Sequence, residues 1–200
     1  LVVYPMPKAK PIAAYSTGCI NNQKFQFIDS STIASGNLTR MWKFGDSTSS
    51  AFQNPAKTFP YAKTYKVWLI SKSDVGCTDS AFLPVQVYDR PFAKFGTNDT
   101  DQCLFGNNFN FTNKTTIQSG TVSQTWLFGD GKSQTTTHAS NGYFIYGKYN
   151  VTLKTITNFG CVDSASAIII VHPMPTANFS VNNSEQCLKD NQFDFTNSST

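Results

Sequence analysis

Charge is scarce in this 200-residue chain: only 14% of its residues are Asp, Glu, Lys or Arg, no more than are aromatic. That shortage excludes long solvated helices, and Asn, Ser and Thr carry much of the solubility instead. No apolar run approaches the length of a membrane span, so no membrane insertion is expected in this window. Nor does the chain begin with a secretion signal. Leu1 reads as a cut inside a longer protein, so the missing signal says nothing about destination. The 16 Lys and Arg residues form no run or stripe and the net charge of +4 is thinly spread, which argues against a nucleic-acid partner. There is no Cys-x-x-Cys, and His138 and His172 neither repeat with each other nor sit beside a nucleophile. Metal binding, other cofactors and triad catalysis are therefore not expected, and the chain is read as a non-enzyme. A helical period is absent as well.

What the chain has is a repeat. Trp126-Leu127-Phe128-Gly129-Asp130-Gly131 has a near-copy at Trp42-Lys43-Phe44-Gly45-Asp46-Ser47, 84 residues earlier. Trp and Phe two apart point to one face of a strand and fill a core, so Trp42, Phe44, Trp126 and Phe128 are core candidates. Gly45 and Gly129 supply a turn that a side chain would block, and Asp46 and Asp130 hydrogen-bond the amides just beyond it. Neither Asp has a second carboxylate repeating beside it, so a calcium site is not expected, since calcium needs six or more oxygens. Pro7, Pro91 and Pro175 keep the same 84-residue step, each after an apolar strand. The window thus divides into the last strand of a preceding repeat (1–7), two complete repeats (8–90 and 91–174) and the first strands of a following one (175–200).

Alternation and turn signals place the strands. Short first strands run from Ala9 to Ala14 and Ala93 to Thr97. A turn at Asn21-Asn22-Gln23 leads to Phe25-Gln26-Phe27, copied at Phe109 to Phe111 and Phe193 to Phe195. The Trp strand and its Gly-Asp turn follow, then Tyr65 to Leu69 or Tyr149 to Leu153, and a last strand from Cys77 to Tyr88 or Cys161 to His172. About seven short strands per repeat predict an all-β chain of tandem, two-sheet, immunoglobulin-like sandwiches.

The combination Trp-x-Phe-Gly-Asp-Gly, Gly147-x-Tyr149-x-Val151-x-Leu153 and Gly160-Cys161-x-Asp163 resembles the PKD domain, the immunoglobulin-like module named after polycystic kidney disease protein. With the paired cysteines and the opening Phe109 to Asn113, the chain looks most like the tandem PKD repeats of Bacteroidetes surface proteins. Those include the large gliding-motility adhesins secreted by the type IX system. The resemblance implies an extracellular, bacterial cell-surface segment of a long filament or adhesin that spaces, projects and adheres. The alternative it leaves open is a spacer or carbohydrate-binding module of a secreted hydrolase. The first repeat departs at Ser47, in place of Gly131, and at Lys63, in place of Gly147, so those two turns are expected to differ in shape.

Cys19, Cys103 and Cys187 lie on one 84-residue ladder, and Cys77 and Cys161 on another. On an extracellular β chain such pairs read as disulfides. Two pairings stand. Cys19–Cys77 and Cys103–Cys161 would close within a repeat. However, the turns they border lie at opposite ends of an immunoglobulin-like sandwich, roughly 20 Å apart, and a disulfide spans at most about 7 Å between Cα atoms. Topology therefore favours an inter-repeat bridge from Cys19 to Cys161, with Cys77, Cys103 and Cys187 bonded beyond the window. Such bridges would make a stiff rod of the array.

Outward apolar residues present in one repeat only are candidate surface contacts: Trp68 and Ile70 in the first, Ile168 and Ile170 in the second. Expected partners are neighbouring repeats of the same chain, and other copies in a bundle or a surface polysaccharide. Asn37-Leu38-Thr39 and Asn113-Lys114-Thr115 fit the N-glycosylation pattern. The resemblance marks Asp79 to Ala81 and Asp163 to Ala165 as candidate O-glycosylation triplets, of a kind that chance also produces in so Ser- and Thr-rich a chain.

Overall fold

The computed structural model describes residues 1–20 and 23–200, so the first two positions of the turn expected at Asn21-Asn22-Gln23 lie outside the described residues. No helix occurs among the described residues. The first repeat supplies β1 (Pro11–Ala13), β2 (Thr17–Cys19), β3 (Phe25–Asp29), β4 (Leu38–Lys43), β5 (Ser49–Ser50), β6 (Ala56–Lys57), β7 (Thr64–Ser73) and β8 (Thr78–Tyr88). They form two sheets, ordered β1-β3-β6 and β2-β8-β7-β4-β5. β2 runs parallel to β8, with Cys19 opposite Tyr88, while β7 is antiparallel to both β4 and β8.

The second repeat contributes β9 (Phe95–Thr97), β10 (Asp101–Cys103), β11 (Phe109–Asn113), β12 (Val122–Leu127), β13 (Ser133–Gln134), β14 (Ala139–Asn141), β15 (Gly147–Thr157) and β16 (Val162–His172). Its sheet orders, β9-β11-β14 and β10-β16-β15-β12-β13, repeat those of the first. After it come β17 (Phe179–Val181) and β18 (Phe195–Asn197), an antiparallel pair whose phenylalanines, Phe179 and Phe195, stay exposed.

The first strand of each repeat is shorter than alternation suggests. The Ala9 N–H is given to the Asp79 carboxylate at 2.7 Å, and the Ala93 N–H to Asp163 at 2.9 Å, instead of to a ladder. The last strand likewise starts one residue later than expected, because the Cys77 and Cys161 N–H groups donate to the hydroxyls of Ser73 and Thr157.

By contact density the chain forms two compact units. One comprises Leu1–Lys94, Lys114–Thr125 and Leu153–Ala165, the other Phe95–Asn113, Trp126–Thr152 and Ser166–Thr200. In the first unit, alternation along β3, β4, β7 and β8 buries Phe25, Phe27, Trp42, Tyr65, Val67, Leu69, Val85 and Val87 in one core, joined by Phe44 just after β4 and Phe59 from the segment between β6 and β7. The Phe27 ring stands 5.6 Å from both Trp42 and Phe44. Each buried aromatic removes about 150–250 Å² from water, a gross gain of roughly 4–6 kcal/mol before ordering costs. The core of the second unit repeats the plan, with Phe111 5.8 Å from Trp126 and 5.7 Å from Phe128.

The two tryptophans are equally buried but differently satisfied. Trp126 Nε1–H donates to the Thr136 carbonyl at 3.0 Å, whereas among the described residues Trp42 Nε1 meets no acceptor. Removing a paired donor strands its acceptor, while removing an unpaired one strands nothing. Trp126→Phe should therefore destabilise by about 1 kcal/mol more than Trp42→Phe in denaturant titrations. Equal losses would contradict this accounting.

Candidate functional site

Three features of the chain bear on function: the Gly-Asp turns, the joint around Cys19, and the outer face of the β2-β8-β7-β4-β5 sheet. The turns are set by backbone contact. A Cβ on Gly45 (φ 75°) would stand 2.9 Å from the Lys66 carbonyl oxygen, and one on Gly129 (φ 80°) 3.0 Å from Asn150 backbone atoms. Both positions thus need glycine twice over, for the left-handed φ and for the approach. Asp46 accepts from the Thr48 N–H at 3.1 Å and pairs with Lys57 Nζ at 2.7 Å. Asp130 accepts from the Lys132 N–H and from Asn141 Nδ2, each at 3.0 Å. Burial pushes both carboxyls up. The hydrogen bonds from Lys57 and Thr48, or from Asn141 and Lys132, outweigh it and hold both below the usual carboxylate value. These contacts cap the turns.

The expectation that Ser47 reshapes its turn needs correction: Ser47 adopts φ 67°, in the same left-handed region as Gly131 at 89°. The Asp46 cap and Gly45 fix the path, so Ser47 absorbs the strain. Nearby, burial pushes the Tyr143 hydroxyl up to about 12 as it donates to the Phe128 carbonyl at 2.9 Å.

The joint is covalent. Cys19, at the end of β2, is bonded to Cys161, just before β16, with Cα atoms 5.7 Å apart and a sequence separation of 142. Cys77 is not its partner for a simple reason. Cys19 is in register with Tyr88, whereas Cys77 precedes Thr78, so the whole of β8 lies between them, about 35 Å of strand. Cys77 (half-buried), Cys103 and Cys187 (both exposed) form no disulfide among the described residues. Around the bridge, Arg90 donates to the Val162 carbonyl at 3.1 Å and pairs with Asp163 at 3.3 Å. The Tyr88 and Phe159 rings stack at 3.8 Å, within 5° of parallel.

Reasoning from sequence named Asp79 and Asp163 only as motif and glycosylation residues, missing their hold on the Ala9 and Ala93 amides, and did not single out Arg90, Tyr88 or Phe159. The two aspartates and the two alanines they hold are each 84 residues apart, a signal open to reading. Arg90 and Phe159 gave none, because Met6 and Met174, and Val75, occupy the corresponding positions; Tyr88 is repeated at Tyr4 but replaced at His172. In the glycosylation triplets, the Asp79 and Asp163 carboxylates are engaged, while Ser80 and Ser164 are exposed. His138 accepts from the Asn113 N–H, and His172 stands 3.3 Å from Asp101. Among the described residues, no group of three or more His, Cys, Asp or Glu is placed to hold a metal, and no helix is long and apolar enough to cross a membrane.

On the outer sheet face, Trp68 lies directly opposite Phe82, with ring centroids 4.9 Å apart, and both are partly exposed. Ile70 is half-buried beside Met41. Ile168 is exposed, and Ile170 is half-buried opposite Asp101.

A family model described as "PKD domain" matches residues 4–87 and again 88–171. No curated protein matches. Among solved structures, the chain is similar to the PKD1 domain of the Vibrio cholerae metalloprotease PrtV: 26% identity over 42% of this chain and 98% of that one, TM-score 0.37. The PKD1 domain of Vibrio anguillarum Epp shares 22% identity over 42% and 96%, TM-score 0.38. The fibronectin(III)-like modules of Clostridium thermocellum CbhA share 14% over 84% and 95%, TM-score 0.40.

Two outcomes test the turns. Because the Asp46 and Asp130 carboxyls titrate lower when folded, the unfolded chain binds more protons between the folded and unfolded values. Stability is then fully present above about pH 4 and lost as pH falls through the folded values. Asp46→Asn with Asp130→Asn should flatten the drop in melting temperature between about pH 5 and pH 2; an unchanged slope would remove the capping role. Ser47→Gly should raise stability by up to about 1 kcal/mol, the left-handed strain less the entropy of the added glycine. A fall in melting temperature would show Ser47 to be unstrained.

Proposed function

The chain belongs to the PKD domain family, and from that premise we propose that it is a non-catalytic, load-bearing spacer within a long extracellular filament or adhesin on a bacterial cell surface. The observation that carries this reading is the Cys19–Cys161 bridge, which joins the end of β2 in one repeat to the start of β16 in the next. Tension applied at Leu1 and Thr200 crosses from Cys19 to Cys161 through sulfur, so residues 20–160 lie off the covalent path of the load. By the same 84-residue step, Cys103 and Cys187 bond cysteines of later repeats, and Cys77 bonds an earlier one. The array is then a series of overlapping bridges in which unfolding of a sandwich adds little length. A gliding-motility adhesin exported by a type IX system is the specific setting this suits, because such a filament is pulled repeatedly and gains from low extensibility. Disulfides also suit an oxidising exterior.

Single-molecule pulling on the whole chain, held at its termini, tests the assignment. With the bridge intact only the segments outside it should extend. Reductant should add the 142-residue span, about 500 Å of contour length. Identical extension before and after reduction would overturn the load-bearing role.

A further inference from the structure

The outer face of the five-stranded sheet in the first unit has a composition that neither the core nor the joint requires. Strand registers lay its side chains out in rows. Ser49 is opposite Lys43, Lys43 opposite Trp68, and Trp68 opposite Phe82. On one side of that row Lys66 faces Pro84, and on the other Met41 faces Ile70 and Ile70 faces Ser80. One row further, Thr39 faces Lys72 and Lys72 faces Thr78. These rows hold three lysines and no Asp or Glu. The nearest acid, Asp46, has its carboxylate turned to Lys57 and Thr48. A cleft of about 640 Å³ on this face is lined by Trp68, Lys43 and Lys66 and by Ser47, Thr48, Ser49 and Thr64, of which the Thr48 hydroxyl donates to Asp46 and the Thr64 hydroxyl to Gln86.

We propose that this cleft binds an acidic polysaccharide, with a sugar ring laid against Trp68 and its carboxylates met by Lys43 and Lys66. Each part of the cleft matches one part of such a ligand. An exposed indole offers a flat apolar surface to the C–H face of a pyranose. The Ser47 and Ser49 hydroxyls exchange hydrogen bonds with sugar hydroxyls as donor or acceptor, and the Thr48 and Thr64 oxygens, whose protons go to Asp46 and Gln86, accept. Lys43 lies opposite Trp68 on the neighbouring strand and Lys66 two residues before it on the same strand, so successive acidic sugars each find a counter-charge. Lys66 also lies 5.6 Å over the Phe82 ring, which orders that side chain before any ligand arrives.

A second copy of this chain docked face to face would set lysine against lysine, which like-charge repulsion disfavours. The second repeat lacks the constellation: Thr152, Ser166, Leu127 and Asn150 stand where Trp68, Phe82, Lys43 and Lys66 stand in the first. The site therefore belongs to one repeat and not to the fold.

Binding of the whole oxidised chain to polygalacturonate, neutral dextran and polyglutamate, measured by affinity electrophoresis and calorimetry at low and high salt, decides the matter. Polygalacturonate should bind and weaken as salt rises, while dextran should not bind. Trp68→Thr, which installs the residue of the second repeat at an exposed position, should weaken polygalacturonate binding at least tenfold, and Lys43→Gln with Lys66→Gln should do the same. Melting curves matching the parent chain would exclude misfolding as the cause. Unchanged affinity in Trp68→Thr would overturn the site. Binding of polyglutamate as tight as that of polygalacturonate would also overturn it, by showing that charge alone suffices and that an acidic polypeptide fits as well.

Discussion

The structure depends on one packing arrangement, a Trp-x-Phe strand buried beneath a Phe-x-Phe strand. Phe27 against Trp42 and Phe44, and Phe111 against Trp126 and Phe128, join the two sheets in each copy at ring separations of 5.6–5.8 Å. With few charges available and no helix among the described residues, these rings are the largest apolar surfaces the chain can remove from water. The glycine that follows each Trp-x-Phe is a consequence of the same packing. Once the strand is held down, the backbone beyond it passes so close to β7 or β15 that a side chain would collide.

A second constraint operates where one repeat passes to the next. A disulfide alone would tether two points and leave rotation about them. Here it is accompanied by the Arg90–Asp163 pair and the Tyr88–Phe159 stack, while the Asp163 carboxylate also holds the Ala93 amide of its own repeat. An ion pair and a ring stack have preferred geometries, so they restrict orientation where a covalent link fixes only distance. The Ala9–Asp79 bond at the equivalent place shows that the carboxylate contact belongs to both complete copies. The aromatic stack and the arginine, by contrast, are particular to one joint. An array can thus keep its entry geometry while individual joints vary in strength, as nearest-neighbour contacts do in other repeat proteins.

Beyond these constraints the two copies have drifted. Trp42 buries its ring without an acceptor where Trp126 has one, and Ser47 holds a left-handed backbone where Gly131 does so without strain. On the outer sheet face the change is larger, from a lysine-flanked Trp68–Phe82 pair in the first copy to the hydrogen-bonded hydroxyls of Thr152 and Ser166 in the second. Outward residues carry little of the packing energy, so their identity is free to follow a ligand or to lapse.

The 84-residue period, the all-β class, the buried positions of β3, β4 and β7 and the turn chemistry of Asp46 and Asp130 were legible in the residues, because each follows from spacing along a single strand or turn. Trp68 was legible as outward-facing by alternation, yet Phe82 was not. Its proximity depends on the register between β7 and β8, which two separate strands set only by pairing. The cysteine ladder announced disulfides and left two pairings open. Tertiary structure chose Cys19 with Cys161, because the length of β8 keeps Cys77 at the far end of its own sandwich. The same holds for Asp163 and Arg90, whose partners are 70 or more residues away. Local sequence determined which side chains turn inward, since that is a matter of period two. Which distant groups meet was decided only when whole sheets took their register and one repeat was set against the next.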